Sequence, residues 1–300
     1  GKDRYRPQIP SGVSIGHYKI TAGTLGTIVK DKRTGEALIL SNNHVLANSN
    51  DAMVGDDILQ PGPIDGGKVS ADVVARLERF VRLRYTDETT TPPIIQPPTT
   101  PGGGTTPTNG CDILGALIAI VNALASIVGS QQRVTTTQSK SQSIFSTGGA
   151  SPQAAMTTTP SGLAVAQAVP TNAIDAALAR PLDASMFIDQ VQRIGEVNTT
   201  KPVALGMKVR KYGRTTEYTE GTVNLLNATV DIAYSTIAGQ KTARFTGQVI
   251  ATAMSQGGDS GSLIVDATEN RAVGLLFAGS NLATIFTPID VVLSTLDISM

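Results

Sequence analysis

The sequence is poor in the residues that cross-link small secreted domains or stack on nucleic-acid bases. Cys111 is the single cysteine among 300 residues, so an intrachain disulfide is excluded and the hydrophobic core must hold the fold together. Tryptophan is absent and aromatic residues make up only 4% of the chain, so no platform for stacking bases is expected. The 24 basic and 24 acidic side chains balance, which gives no electrostatic attraction to nucleic acid or to an anionic membrane.

The start of the chain gives little information about its compartment. It has neither a signal peptide nor an initiating Met, and we therefore expect a trimmed or processed form. Since no disulfide can form, an oxidising compartment is not implied, and both the cytoplasm and secretion stay open. A length of 300 residues is long for one domain but suits an all-β protein of two barrels.

The best candidate nucleophile is Ser260, in a run of glycines and small polar residues at 257–262. A serine hydroxyl becomes a good nucleophile only when a base removes its proton and nearby donors stabilise the charge that forms. Glycine lets the backbone turn tightly, so this run can direct the N–H groups of Gly258 and Ser260 at one point, as an oxyanion hole requires. We therefore expect a base and an acid upstream.

Only two histidines can supply the base. His44 follows an apolar strand candidate at 37–40 and lies on a turn where it can face a cleft, so we interpret it as the base. His17 lies in an N-terminal segment without strong periodicity, and we interpret it as a solvated or packing residue. Asp72 and Asp175 are both candidates for the carboxylate that orients the imidazole, and spacing alone does not choose between them.

Taken together, these segments resemble the trypsin-like (chymotrypsin-fold) serine endopeptidases, particularly the bacterial members without disulfides. Gly-Asp-Ser-Gly at 258–261 is similar to the nucleophile motif of this family, and Asn-His-Val-Leu-Ala at 43–47 to its histidine turn. Residues 172–179 are similar to the aspartate motif, and residues 212–223 to the first hairpin of the second barrel. The order His, Asp, Ser is also that of the chymotrypsin fold. The resemblance covers roughly residues 12–85 and 165–296.

An α/β-hydrolase is excluded by the same residues. Its nucleophile motif needs a glycine two residues after the serine and a helix beyond it, with the histidine last in the chain. Here position 262 is Ser, the next segment is a strand candidate, and His44 precedes Ser260.

The resemblance implies an all-β fold of two Greek-key β-barrels packed together, with a short C-terminal helix. It also implies acyl transfer by a catalytic triad, with Ser260 as nucleophile, His44 as base and Asp175 orienting the imidazole. The N–H groups of Gly258 and Ser260 would form the oxyanion hole, and no metal or organic cofactor is required.

The resemblance further places Met254 at the floor of the primary specificity pocket, six residues before the nucleophile. One wall would follow four residues of a later strand: Phe277, Ala278, Gly279 and Ser280. None of these positions is charged, so we expect a protein or peptide substrate cut after a small or medium apolar residue.

Residues 86–165 have the composition of an insertion. Residues 86–110 and 131–165 are low-complexity stretches, the first dominated by Thr, Pro and Gly, which cannot bury apolar surface. Between them, apolar residues recur at helical spacing over 111–130, but the run is too short for a membrane span. Two roles stay open for this helix: packing on the barrel or on another copy, and docking to a membrane surface or a partner.

The expected organisation follows from this insertion. Residues 1–18 form an N-terminal arm, residues 19–85 and 166–190 the first barrel, and residues 191–300 the second barrel with the C-terminal helix. Removing the insertion leaves a separation between His44 and Asp175 that is normal for the family, which favours Asp175 over Asp72. The alternative function is a catalytically silent, protease-like binding or assembly module that uses helix 111–130.

Overall fold

The computed structural model of the chain describes residues 1–88, 134–135 and 169–300. The predicted helix at 111–130 and the low-complexity sequence around it lie outside the described residues. In chain order the described elements are β1 (Ile9–Ser11), β2 (Ser14–His17), β3 (Gly23–Thr24), β4 (Thr27–Asp31), β5 (Ala37–Ser41), α1 (Asn43–Leu46), β6 (Asp57–Leu59), β7 (Val73–Phe80), β8 (Val134–Thr135), β9 (Thr171–Asn172), β10 (Ala177–Pro181), β11 (Phe187–Val191), β12 (Lys208–Gly213), β13 (Glu217–Thr236), β14 (Gly239–Thr252), β15 (Leu263–Asp266), β16 (Ala272–Gly279), β17 (Ala283–Pro288), α2 (Ile289–Leu296) and β18 (Ile298–Ser299).

The first eight-stranded sheet has the order β18-β4-β5-β10-β7-β6-β2-β3. The sheet closes into a barrel because β3, which pairs with β2, leads through residues 25–26 into β4, which pairs with β5. Loop hydrogen bonds from the Gly12 N–H to Leu25 O and from the Leu25 N–H to Val13 O continue the pairing of β2 with β3 up to this connection. Strand β5 shows why the sheet forms here, because successive side chains of a strand point to opposite faces. Ile39 lies in the core cluster inside this barrel, while Leu38 and Leu40 face the second barrel.

The N-terminal residues belong to this first barrel, which corrects the expectation of an arm at 1–18. Strand β2 is part of its sheet, while β1 pairs with β11 in a separate two-stranded sheet. The side chains of Ile9, Val13 and Ile15 are completely buried in the same core cluster as Ile39. His17 is buried as well, so it is a packing histidine. The short strands escaped sequence analysis because three or four residues around Pro10 and Gly12 give too little alternation to detect.

The second eight-stranded sheet has the order β8-β13-β12-β15-β16-β17-β14-β9. An additional pairing of β13 with β14 closes its six central strands into a barrel. Its interior is filled by alternating apolar side chains of these strands, among them Val209, Val223, Val249, Ile264 and Phe286. Strands β13 and β14 are long, at 20 and 14 residues, and extend from the barrel as a hairpin.

A third apolar cluster joins the two barrels. It contains Leu38 and Leu40 of β5, Leu263 and Val265 of β15, and Ile289 of α2. After α2 the chain returns to the first sheet, where β18 pairs with β4. Each large aliphatic side chain buried here contributes about 1.5–3 kcal/mol to stability. The interface between the two barrels, called the seam below, is therefore well stabilised without a disulfide. The expected all-β fold with two packed barrels and a short C-terminal helix is confirmed.

Candidate active site

His44 and Asp175 are in direct contact at the seam. The Nδ1 atom of His44 lies 2.6 Å from Oδ2 of Asp175, and the His44 N–H donates to Oδ1 at 3.3 Å. The carboxylate is completely buried, whereas the imidazole is 14% exposed. When Nδ1–H donates to a carboxylate, Nε2 is left as the acceptor, which is the form a general base needs.

Two asparagines fix the turn that carries His44. Asn42 donates from Nδ2 to the main-chain oxygen of Asp175 at 2.7 Å, and this bond ties the turn after β5 to the segment before β10. Asn43 donates from Nδ2 to Val81 O at 2.7 Å and to Asn50 Oδ1 at 2.9 Å. Both asparagines are completely buried, so their hydrogen bonds hold the imidazole close to the carboxylate.

Tyr234 is a third residue at this contact, and the sequence analysis did not identify it. Its hydroxyl donates to Oδ2 of Asp175 at 2.8 Å, and the centre of its ring lies 5.7 Å from that of His44. Burial, and then the negative charge of Asp175, raise the pKa of Tyr234 well above its usual value. The phenol therefore stays protonated and acts as a donor. Asp72, the other aspartate candidate, binds Arg4 through Oδ1 at 2.6 Å and does not line the cavity.

Ser260 lies in the loop between β14 and β15 and lines the same cavity as His44. Its side chain is little exposed, and its Oγ donates to Phe277 O at 3.3 Å, so in this state the hydroxyl is bonded to strand β16. The two glycines beside it have left-handed backbone, with φ of +95° at both Gly258 and Gly261. A side chain at either position would be strained, which explains why this loop carries glycine there.

Beneath the loop, the carboxylate of Asp259 is completely buried and well satisfied. Oδ1 accepts the N–H groups of Thr215 and Thr216, at 2.8 and 3.1 Å, and Oδ2 accepts the Thr216 hydroxyl at 2.6 Å and the Gln256 N–H at 2.9 Å. The ammonium of Lys211 lies 3.6 Å from Oδ2, also completely buried. Burial lowers the pKa of Lys211, and the charge of Asp259 opposes that shift. These contacts fasten the Ser260 loop to the hairpin of β12 and β13.

The carbonyl groups of the loop determine where its N–H groups point. Gly257 O accepts the Thr215 hydroxyl at 2.7 Å, and Asp259 O accepts the N–H and the hydroxyl of Ser262 at 3.0 and 2.6 Å. In a trans peptide the N–H lies opposite the carbonyl, so the N–H groups of Gly258 and Ser260 point away from those acceptors. Among the described residues neither N–H has a hydrogen-bond acceptor.

The cavity has a volume of about 650 Å³ and lies between the barrels. Residues 19–22 and His44 line it from the first barrel, and Tyr234, Ser255, residues 256–258 and Ser260 from the second. Of the predicted specificity residues, Gly279 and Ser280 line the cavity.

The other predicted specificity residues lie behind the cavity wall. Met254 is 4% exposed, and Phe277 and Ala278 are buried in the second barrel. Ser255 lines the cavity instead of Met254, and its hydroxyl lies 2.7 Å from that of Thr284. The only signal in the sequence for a role of Ser255 in the pocket is its position next to Met254.

The described part of the chain contains no group of three or more His, Cys, Asp or Glu side chains that could hold a metal ion. A search of the same residues for a helix with the length and hydropathy of a membrane span finds none.

The second half of the chain matches a known protein family. The model of Peptidase family S64 matches residues 164–298. No curated protein matches the chain. Over residues 164–298 the chain is therefore similar in sequence to Peptidase family S64.

Several solved structures of bacterial proteases are similar in overall shape. A Nocardiopsis protease is 13% identical, with 97% of this chain and 98% of that chain covered at a TM-score of 0.48. Thermobifida fusca protease A is 14% identical, with 97% of each chain covered and a TM-score of 0.49. Cellulomonas bogoriensis chymotrypsin is 12% identical, with 98% of each chain covered and a TM-score of 0.47. At these values nothing follows about the site or the substrate.

Proposed function

From the two packed β-barrels and the match of residues 164–298 to Peptidase family S64, we propose that the chain is a serine endopeptidase whose catalytic triad is Ser260, His44 and Asp175. The observation that carries this proposal is the contact of 2.6 Å between His44 Nδ1 and Asp175 Oδ2, beside a cavity that Ser260 also lines. The contact leaves Nε2 of His44 free to accept a proton on the cavity side.

The reaction would proceed by acyl transfer. Ser260 Oγ attacks the carbonyl carbon of the scissile peptide while His44 Nε2 takes the hydroxyl proton. The carbonyl oxygen becomes an oxyanion, which the N–H groups of Gly258 and Ser260 stabilise. His44 then gives its proton to the leaving amine, and the C–N bond breaks to leave an acyl-enzyme. Water, deprotonated by His44, cleaves that ester and restores the Ser260 hydroxyl.

The fixed orientation of the Ser260 loop supports the oxyanion role. The Gly257 carbonyl is bonded by Thr215 of the turn between β12 and β13, and the Asp259 carbonyl by Ser262, so the N–H groups of Gly258 and Ser260 are oriented before any substrate arrives. Such preorganised donors stabilise developing charge without reorganisation, and removing one typically costs about 100- to 1000-fold in rate.

One observation favours the alternative of a catalytically silent binding module. The Ser260 hydroxyl donates to Phe277 O, at 3.3 Å, rather than to His44. Hydrogen bonds between catalytic groups are often long or misaligned without substrate and tighten in the complex, so this bond is compatible with an active enzyme. Turnover of a peptide separates the two functions directly.

We also infer that the residue before the cut is small or medium-sized and apolar. At the end of the cavity formed by the second barrel, Ser255, Gly279, Ser280 and Asn281 are all uncharged. A lysine or arginine side chain would find no carboxylate among these residues. Arg214, at another part of the lining, is already bound by Asp65 through two hydrogen bonds of 2.7 and 2.6 Å.

A peptide-library cleavage profile tests both statements. Wild type is compared with Ser260→Ala and with Ser235→Ala, because Ser235 is an exposed serine that lines the same cavity outside the proposed triad. Cleavage in wild type and in Ser235→Ala, lost in Ser260→Ala, supports the endopeptidase. Cleavage that survives in Ser260→Ala would refute the triad, and a preference for basic residues would refute the specificity.

A further inference from the structure

The carboxylate of Asp175 has donors from both barrels. Two come from His44, whose N–H bonds Oδ1 and whose Nδ1 bonds Oδ2. The third is the Tyr234 hydroxyl, which shares Oδ2 with the imidazole at 2.8 Å. His44 follows β5 and Asp175 precedes β10, both strands of the first sheet. Tyr234 lies on β13 of the second sheet. The phenol is therefore a link from the second barrel to the proposed triad.

Packing holds the phenol in place. Tyr234 is 2% exposed, and its ring lies 6.2 Å from that of Phe245 and 6.4 Å from that of Tyr85, measured between centres. A buried phenol O–H needs an acceptor, and the acceptor here is a carboxylate, which makes a stronger hydrogen bond than a neutral oxygen. Because the Tyr234 side chain is buried and cannot turn into solvent, its hydroxyl stays directed at the Asp175 carboxylate.

We propose that Tyr234 is a positioning residue that holds the Asp175 carboxylate in the orientation that His44 requires. The inference rests on the proposed triad. Without the phenol, the carboxylate would be bonded only to His44, through its main-chain N–H and its imidazole, and could move together with that residue. A second donor on Oδ2 from the other barrel fixes the carboxylate independently of His44. The same bond makes alignment of the imidazole depend on the correct packing of the two barrels.

Tyr234→Phe removes the hydroxyl and keeps the ring, so the cavity wall and the binding of substrate are conserved. Losing a hydrogen bond to a charged group corresponds to about a 10- to 100-fold fall in kcat, with KM little changed. Tyr85→Phe is the matched control. Tyr85 is also buried beside the site, and its hydroxyl donates to Ser49 O at 2.7 Å rather than to Asp175. We expect Tyr85→Phe to keep kcat within about threefold of wild type.

A second variant pair separates positioning from general loss of structure. If Tyr234 acts through Asp175, adding Tyr234→Phe to Asp175→Ala has no further effect on kcat, since the shared acceptor is already gone. If Tyr234→Phe lowers kcat by the same factor in the Asp175→Ala background as in wild type, the phenol does not act through Asp175, and the inference is overturned.

A spectroscopic measurement tests the contact without relying on turnover. The chain has only two histidines, so ¹⁵N-histidine NMR spectra resolve His44 beside His17 as an internal reference. His17 is buried elsewhere, with Nε2 3.0 Å from Asp56 Oδ2. Tyr234→Phe should shift the ring nitrogen signals of His44 and leave those of His17 unchanged.

The outcomes distinguish this inference from the proposed function. If wild type cleaves peptides but Tyr234→Phe matches Tyr85→Phe in kcat and in the His44 signals, the positioning role is refuted and the triad stands. If wild type shows no Ser260-dependent cleavage, the proposed function fails, and the shift of the His44 signals still decides whether the phenol positions the pair.

Discussion

The seam between the barrels passes directly beside Gly261, and replacing this glycine with alanine probes how tightly the Ser260 loop is held. Gly261 has a φ of +95°, a region that residues with a side chain rarely adopt. A Cβ there would lie 2.2 Å from the Ser41 hydroxyl and 2.3 Å from Thr24 O, both on the first barrel. Thr24 O is main chain and cannot turn aside, so either the loop or the barrel must shift.

The expected cost has two parts. Left-handed backbone costs a residue with a side chain about 1–2 kcal/mol, and forcing a methyl group into a packed seam costs about 1–3 kcal/mol more. Gly261→Ala should therefore lower the free energy of unfolding by about 2–5 kcal/mol. Gly35→Ala separates the two parts, because Gly35 also has a positive φ, at +73°, but no atom lies within 4 Å of the added Cβ. That control should lose only about 1–2 kcal/mol.

Urea unfolding followed by circular dichroism measures both variants against wild type, with equal m-values required for the comparison. We expect Gly261→Ala to be less stable than Gly35→Ala by about 1–3 kcal/mol and to lose peptide cleavage, because the displaced residue is next to Ser260. Equal stability of the two variants, with cleavage retained in both, would refute the close approach of the loop to the first barrel.

Two further predictions concern acid stability and the oxyanion loop. The hydrogen bond from the Thr34 N–H is the main cause that lowers the pKa of Asp31 from 3.8 to about 2, so this group stabilises the fold above pH 4 or so and loses that effect as the pH falls toward 2. Unfolding midpoints measured from pH 6 to 2 should therefore fall less steeply in Asp31→Asn than in wild type, and parallel curves would contradict this. Thr24→Val removes the hydroxyl that donates to Gly258 O at 2.9 Å, and we expect kcat to fall about 10-fold with KM little changed. Thr27→Val is the control, since that buried hydroxyl makes only a 3.5 Å contact, and an equal fall in both variants would show that the Thr24 bond does not support the loop.

The parts of the fold that were predicted from sequence are those whose signal is local. The apolar run before His44, the glycines around Ser260 and the alternation after position 206 each mark an element within a few residues. The separation in sequence between His44 and Asp175 was also interpretable, once the insertion was removed. The contact between these two side chains follows from the pairing of β5 with β10, which brings their flanking segments together.

The parts that sequence did not reveal depend on contacts between distant segments. Tyr234 alternates with its neighbours like any core residue of a strand, and nothing local distinguishes its acceptor, Asp175, from a packing contact. Met254 was expected at the floor of the cavity, but the side chain turns into the second barrel and Ser255 faces the cavity instead. A shift of one residue in a loop reverses which side chain is exposed, and spacing cannot resolve such a shift.

The most direct test of the central claim is covalent labelling with a fluorophosphonate, located by mass spectrometry. The proposed triad predicts one label on Ser260, lost in Ser260→Ala, strongly slowed in His44→Ala and unchanged in Ser235→Ala. A label on another residue, or labelling of Ser260 at the same rate with and without the His44 imidazole, would contradict the proposal that His44 activates this serine.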